Sequence, residues 1–109
     1  MSIQNPELVT KVTRIIPRAN GTEVRITVTS SRSPNMELQR DSYVHKRETP
    51  DHEWVLCSDR PHPEWRTMSV DDYNKFGRCD KFQTVSHGEM LSLYQWIGKP
   101  MSEFESAHA

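Results

Sequence analysis

Asn20-Gly21-Thr22-Glu23-Val24-Arg25-Ile26-Thr27-Val28-Thr29 carries the clearest structural pattern in this chain. Val24, Ile26 and Val28 alternate with charged and hydroxyl residues, the period-two pattern of a strand that buries one face. Asn20-Gly21 is the strongest short hairpin signal, because both residues tolerate the positive φ of a type I′ turn. The partner strand is then Val9–Ile16. A helix reading competes there, since Asn5-Pro6-Glu7 supplies a cap residue, a proline at the first helical position and an acid in the first turn. Leu8, Val9, Val12, Ile15 and Ile16 also fall at helical spacing. Val9, Thr10, Val12, Thr13, Ile15 and Ile16 are all β-branched, however, and that favours the strand.

Downstream, Ser31-Arg32-Ser33-Pro34-Asn35 reads as a loop and Met36–Arg47 as a third strand with long polar side chains. Thr49-Pro50-Asp51 reads as a turn, and His52–Ser58, with Trp54-Val55-Leu56-Cys57, as a fourth strand. Four strands on short turns form an antiparallel meander. Asp59-Arg60-Pro61-His62-Pro63-Glu64 holds two prolines in three residues and must leave the sheet.

Val85-Ser86-His87-Gly88-Glu89-Met90 carries nearly every helix-start signal. Ser86 can cap the N3 amide, Glu89 can reach back to the cap amide, and Val85 can pack on Met90 as a staple. Gly98 and Pro100 stop the helix, which is expected over 87–97. A second short helix is expected from Met68-Ser69, with Asp72 completing a capping pattern, Gly77 as the stop, and Val70, Tyr73 and Phe76 as the buried stripe. Met101–Ala109 is polar and is expected to fray. The expectation is a small α+β fold: an antiparallel sheet of about four strands with two short C-terminal helices packed on one face. All 109 residues are read as one domain, with a β-rich half over about 8–58, a proline-rich connection over 59–67, a helical half over about 68–98 and a tail over 101–109.

The net charge is -1, which excludes a simple polycation. Residues 1–50 hold eight Lys/Arg against five Asp/Glu, and residues 51–109 hold six against ten, so either end can steer a charged partner. No apolar run is long enough to span a bilayer, and Met1–Pro6 lacks the charged and apolar regions of a signal peptide. A cytoplasmic protein with no membrane partner is expected, with Cys57 and Cys79 reduced. Cys57, ending a strand, is expected to be buried, and Cys79, after a helix-stopping glycine, to be more accessible.

No residue pattern identifies a reaction. Cys57, His62, Cys79 and His87 lack the tight ligand pairs that nucleate a zinc site, so no metal and no cofactor are expected. A nucleophile pair from Cys57 or Cys79 with His62 or His87, oriented by Asp59 or Asp80, requires a geometry that spacing alone does not supply. A small Cys/His or metal-dependent enzyme is therefore the third reading, and no catalytic residue is assigned.

Arg14, Arg18, Arg25, Arg40, Lys46 and Arg47, with Tyr43 among them, are raw material for a basic strand face that binds nucleic acid. One aromatic is few for a stacking platform, and solvated strand faces carry such charges anyway. Trp54 and Trp96 are expected at the seam between helix and sheet. Trp65, in the proline-rich connection, either plugs the core edge or is presented to a partner, and with Arg66 and His62 it forms the candidate partner-binding group. The leading expectation is a small non-enzymatic binding or adaptor protein acting through a protein partner, or a homodimer through a strand edge. Nucleic-acid binding is the alternative.

Overall fold

The computed structural model of this chain describes residues 7–32, 35 and 37–109. Four strands, β1 (Lys11–Pro17), β2 (Glu23–Arg32), β3 (Leu38–Arg47) and β4 (Val55–Leu56), form an antiparallel meander in the order β1-β2-β3-β4. Helices α1 (Val70–Asp72, running on as a π-turn over Tyr73–Gly77), α2 (Asp80–Thr84), α3 (His87–Tyr94) and α4 (Met101–Ala107) follow. The α+β class and the meander are as expected, and the helices are C-terminal to the sheet. The helical half is more divided than two helices.

Alternation places the core. In register, Val12 faces Val28, Ile16 faces Val24 and Ile26 faces Val44, which puts all six side chains on one face of the sheet. Val24, Ile26, Val28 and Val44 are buried there with Val85, Met90, Leu93 and Ile97 from the helical layer. Each such side chain contributes roughly 1.5–3 kcal/mol of burial. The molecule is 22 Å through its thinnest direction, the depth of one sheet and one helical layer. Thr13, Ile15 and Tyr43, on the opposite face, remain exposed.

The β1–β2 turn differs from the expected type I′. Gly21 N–H donates to the Arg18 carbonyl at 3.0 Å and Arg18 N–H to the Thr22 carbonyl at 2.8 Å, so the tight turn is centred on Ala19-Asn20. Gly21, at φ 89°, then forms the left-handed step that restores the register. Asn20 acts through its side chain, whose Oδ1 accepts the Thr22 amide at 3.0 Å.

Val9 lies outside β1. It is buried, and its backbone exchanges hydrogen bonds with the far end of the chain: Val9 N–H with the Lys99 carbonyl and Gly98 N–H with the Val9 carbonyl, both 2.9 Å. Met101 N–H donates to the Glu7 carbonyl at 2.8 Å. The helix reading does not hold over 11–17, which is strand; Asn5 and Pro6 lie outside the described residues, as do Ser33, Pro34 and Met36 of the expected loop and third-strand start. Ser31 and Arg32 of that loop belong to β2.

The fourth strand shrinks from the expected His52–Ser58 to two residues. Cys57 N–H still donates to the Val44 carbonyl at 2.8 Å, but the Lys81 ammonium takes the Ser42 carbonyl at 2.7 Å, where the next ladder bond would fall. Lys81 N–H meanwhile draws the Ser58 carbonyl into α2 at 3.0 Å.

At α3 the capping box forms as expected. Ser86 Oγ accepts the Glu89 amide at 3.1 Å and Glu89 Oε1 accepts the Ser86 amide at 3.0 Å. The regular helix ends at Tyr94, and the next turn tightens, with Trp96 and Ile97 amides donating three residues back. The tail does not fray: Met101–Ala107 is helical, and Phe104 packs edge-on against Trp96 with ring centroids 5.6 Å apart.

Candidate partner-binding surfaces

Residues 59–78 make an excursion away from the core. It closes where His62 N–H donates to the Gly77 carbonyl at 2.9 Å. Within it, Trp65 and Thr67 amides donate back to His62 and Glu64 carbonyls, forming a 3₁₀ turn over Trp65–Thr67. His62 Nδ1 accepts the Glu64 amide at 3.1 Å, so this histidine builds the turn. Ser69 caps α1 by accepting the Asp72 amide at 3.2 Å. Arg78 N–H then reaches five residues back to the Tyr73 carbonyl, the π-type closure that turns Gly77 inward.

Gly77 serves close packing here in addition to ending the helix. A β-carbon at this position would lie 2.7 Å from Tyr73 Cδ2 and 2.9 Å from Met68 Sδ. Tyr73 in turn sits against Trp65 at 6.1 Å, and the Arg66 guanidinium lies over the Trp65 ring at 5.3 Å. Trp65 is 40% exposed and stands outside the core cluster. The expected buried stripe is inverted: Val70 is 77% and Phe76 64% exposed. The π-turn rotates the positions that a regular helix would have turned inward, and only Tyr73 of the three is half-buried.

The basic residues of the strands do not share one face. Arg25, Tyr43 and Arg47 project from the open face of the sheet, whereas Arg14, Arg40 and Lys46 have the register of the core-facing positions and lie at its edges. Arg18, in the hairpin turn, pairs with Glu89, Lys46 with Asp80 at 3.0 Å, and Arg47 with Glu23 at 2.8 Å. On the open face Trp54 lies under two guanidinium groups, Arg47 at 4.1 Å and Arg25 at 4.8 Å from the ring centroid. Trp54 is thus a clamp on the open face and not the expected seam. Trp96 joins α3 to α4 and meets His108 as well as Phe104 edge to face.

A shallow trough on the open face is lined by Lys11, Thr13, Arg25, Thr27, Tyr43 and His45, with no carboxylate. His45 Nδ1 is buried without a hydrogen-bond partner. Burial, and then the positive Arg25, push this imidazole below its ordinary value and keep it neutral at pH 7.

Both cysteines are free and both are buried. Cys79, at 6% exposed, holds the first position before α2 from inside the fold without a side-chain cap bond, contrary to the accessibility expected from its charged neighbours. The Cys57 thiol donates to Thr84 Oγ1 at 3.8 Å, and burial pushes it up, away from the thiolate that nucleophilic chemistry needs. Among the described residues no three His, Cys, Asp or Glu side chains converge on a common ion position. Among those residues, too, no helix is long and apolar enough to cross a membrane.

Sequence reading missed the exposure of Val70 and Phe76, because a three-residue spacing reads as a buried stripe unless the helix changes pitch. It also missed the groove between β3 and α3, described below, which follows from the shortness of β4. No known protein family, no curated protein and no solved structure is detectably similar to this chain.

Proposed function

We propose that this chain is a non-enzymatic binding or adaptor protein that engages a protein partner through the excursion carrying Trp65, Arg66 and Phe76. The observation that carries the reading is the exposure of Trp65, Val70 and Phe76 on a backbone held by its own hydrogen bonds. Large apolar side chains on a surface are ordinary when scattered, but grouped on a preorganised segment they cost little further ordering on binding. Aromatic and arginine side chains are the usual anchors of such interfaces. His62 supports the segment through its turn.

The test is co-purification from native lysate, followed by measured affinity for the recovered protein. Trp65→Ala should weaken that affinity by about 1–3 kcal/mol, as anchors do. A variant on the open sheet face, Lys11→Ala, should leave it unchanged. If Lys11→Ala removes the partner and Trp65→Ala does not, the excursion is not the binding surface. A sedimentation measurement of the purified chain separates a foreign partner from a second copy.

Nucleic-acid binding is the second reading, supported by the carboxylate-free trough around Tyr43. It demands affinity for single-stranded oligonucleotides that falls steeply with salt and is lost in Arg25→Ala.

A further inference from the structure

An adaptor needs a second surface, and a different part of the fold meets that need. β4 pairs with only two residues of β3, His45 and Lys46, so among the described residues no strand fills the lane beside Leu38–Ser42. The Val44 and Ser42 carbonyls, bonded to Cys57 N–H and the Lys81 ammonium, show that even-numbered residues of β3 turn their backbone groups toward this lane. By the same alternation the Leu38 and Arg40 N–H and C=O groups and the Ser42 N–H point into it. None of these has a backbone partner there among the described residues.

A groove of about 660 Å³ runs beside that edge, between it and the helical layer, walled by Phe82, Leu91 and Tyr94 over Val85 and Met90. It continues past Leu91 and Tyr94 to Ile97 and Arg40. Phe82 and Leu91 are about half exposed, at 48% and 50%. Arg78 stands at one end and Arg40 at the other, and no carboxylate lines either stretch. Neither arginine has an ion pair among the described residues.

We infer that this lane accepts an extended segment of a partner protein, which adds to β3 as a strand, places alternate apolar side chains in the groove, and carries acidic residues that meet Arg40 and Arg78. Strand addition satisfies the open backbone groups, while the groove reads every second side chain, because side chains alternate across a strand. The charge at both ends selects acidic flanks over basic ones. This surface lies on β3, α2 and α3 and shares with the excursion only its last residue, Arg78; Trp65 does not line it.

The probe is an end-blocked, fluorescent peptide of alternating valine and threonine with an aspartate at each end, compared with the same peptide ended by lysines. Anisotropy should show saturable binding of the acidic peptide, at least tenfold tighter than the basic one. Leu91→Glu, on the exposed wall, and Arg40→Glu should each weaken it at least tenfold, with circular dichroism unchanged. Hydrogen exchange should slow at the Arg40 and Ser42 amides when the acidic peptide is bound, a readout that non-specific hydrophobic adsorption would not give. Trp65→Ala should leave this binding intact. Absence of saturable binding, equal binding of both peptides, or unprotected Arg40 and Ser42 amides overturns the inference. Self-association of the free chain that Leu91→Glu abolishes would instead give the lane to a second copy, which also overturns it.

Discussion

Two guanidinium nitrogens of Arg18 donate to the two carboxylate oxygens of Glu89 at 2.8 and 3.0 Å, and the second also reaches the Thr84 carbonyl at 2.9 Å. Glu89 is at the same time the N3 residue of the α3 capping box. The first hairpin turn is thereby fastened to the start of α3, 71 residues later in the chain. A forked pair of this kind fixes direction as well as distance.

That pairing makes stability depend on acid. The hydrogen bonds from Arg18, followed by the Ser86 amide, hold Glu89 down from 4.5 to about 2. A carboxylate depressed in the folded state contributes stability that is fully present above about pH 4.5 and lost as pH falls toward 2. The pair is a quarter to a third exposed, so solvent screening limits the contribution to on the order of 1–2 kcal/mol. Urea titrations at pH 5.5 and pH 2.5 should show Glu89→Gln losing less stability than the parent over this interval. Equal losses would show that Glu89 does not contribute to the acid dependence.

Ser86→Ala removes the other half of the box and should cost about 1 kcal/mol in chemical denaturation. The effect should not add fully to that of Glu89→Ala, because the two side chains cap each other. A full sum would mean that they act separately.

Cys57 and Cys79 should both react slowly with a thiol reagent in the native protein and promptly after unfolding. Cys57 should be the slower of the two, because it is the more deeply covered and burial pushes its thiol up. Prompt native reaction of one thiol would show that its burial is not maintained in solution.

Much of the sheet was legible because period-two burial depends on neighbours along the strand: Val24, Ile26 and Val28 needed no tertiary information. The α3 capping box was legible for the same reason. What escaped depended on contacts distant in sequence. His52–Ser58 has the composition of a full strand, but Lys81 occupies the carbonyl it would have paired with. Val9 was read into β1, yet its partners are Gly98 and Lys99 at the other end of the chain. The α4 helix left a weak trace, Met101, Phe104 and His108 at spacings of three and four, which becomes decisive only once Trp96 is there to receive it. At the candidate sites, the proline-flanked position of Trp65 is legible in the sequence as one outside the sheet, whereas the basic strand residues lie close in sequence and are divided by the sheet between its two faces.

Truncation after Lys99 tests the terminal helix. It removes Phe104 and His108 from the Trp96 ring, and the Met101 amide from the Glu7 carbonyl. Phe104→Ala alone should destabilise the fold by about 1–3 kcal/mol, less than a fully buried phenylalanine because the residue is only partly covered. Tryptophan fluorescence should shift to the red as Trp96 is uncovered. An unchanged spectrum together with unchanged stability would mean that α4 does not dock.

The excursion offers a separation of rigidity from contact. Trp65→Ala removes a ring that touches Tyr73 and Arg66 outside the core cluster, so stability should change by less than about 1 kcal/mol. Gly77→Ala leaves every exposed aromatic in place but drives a methyl group into Tyr73 Cδ2, where only 2.7 Å is available. Overpacking of this kind typically costs 1–3 kcal/mol, and here the strain falls on the closure between His62 and Gly77. Hydrogen exchange should therefore accelerate at the His62 and Arg78 amides while the amides of β2 stay protected. If the excursion works by presenting a preorganised surface, Gly77→Ala should weaken partner binding although position 77 is itself buried. Faster exchange with undiminished binding would show that the partner does not require the excursion to be held in this shape.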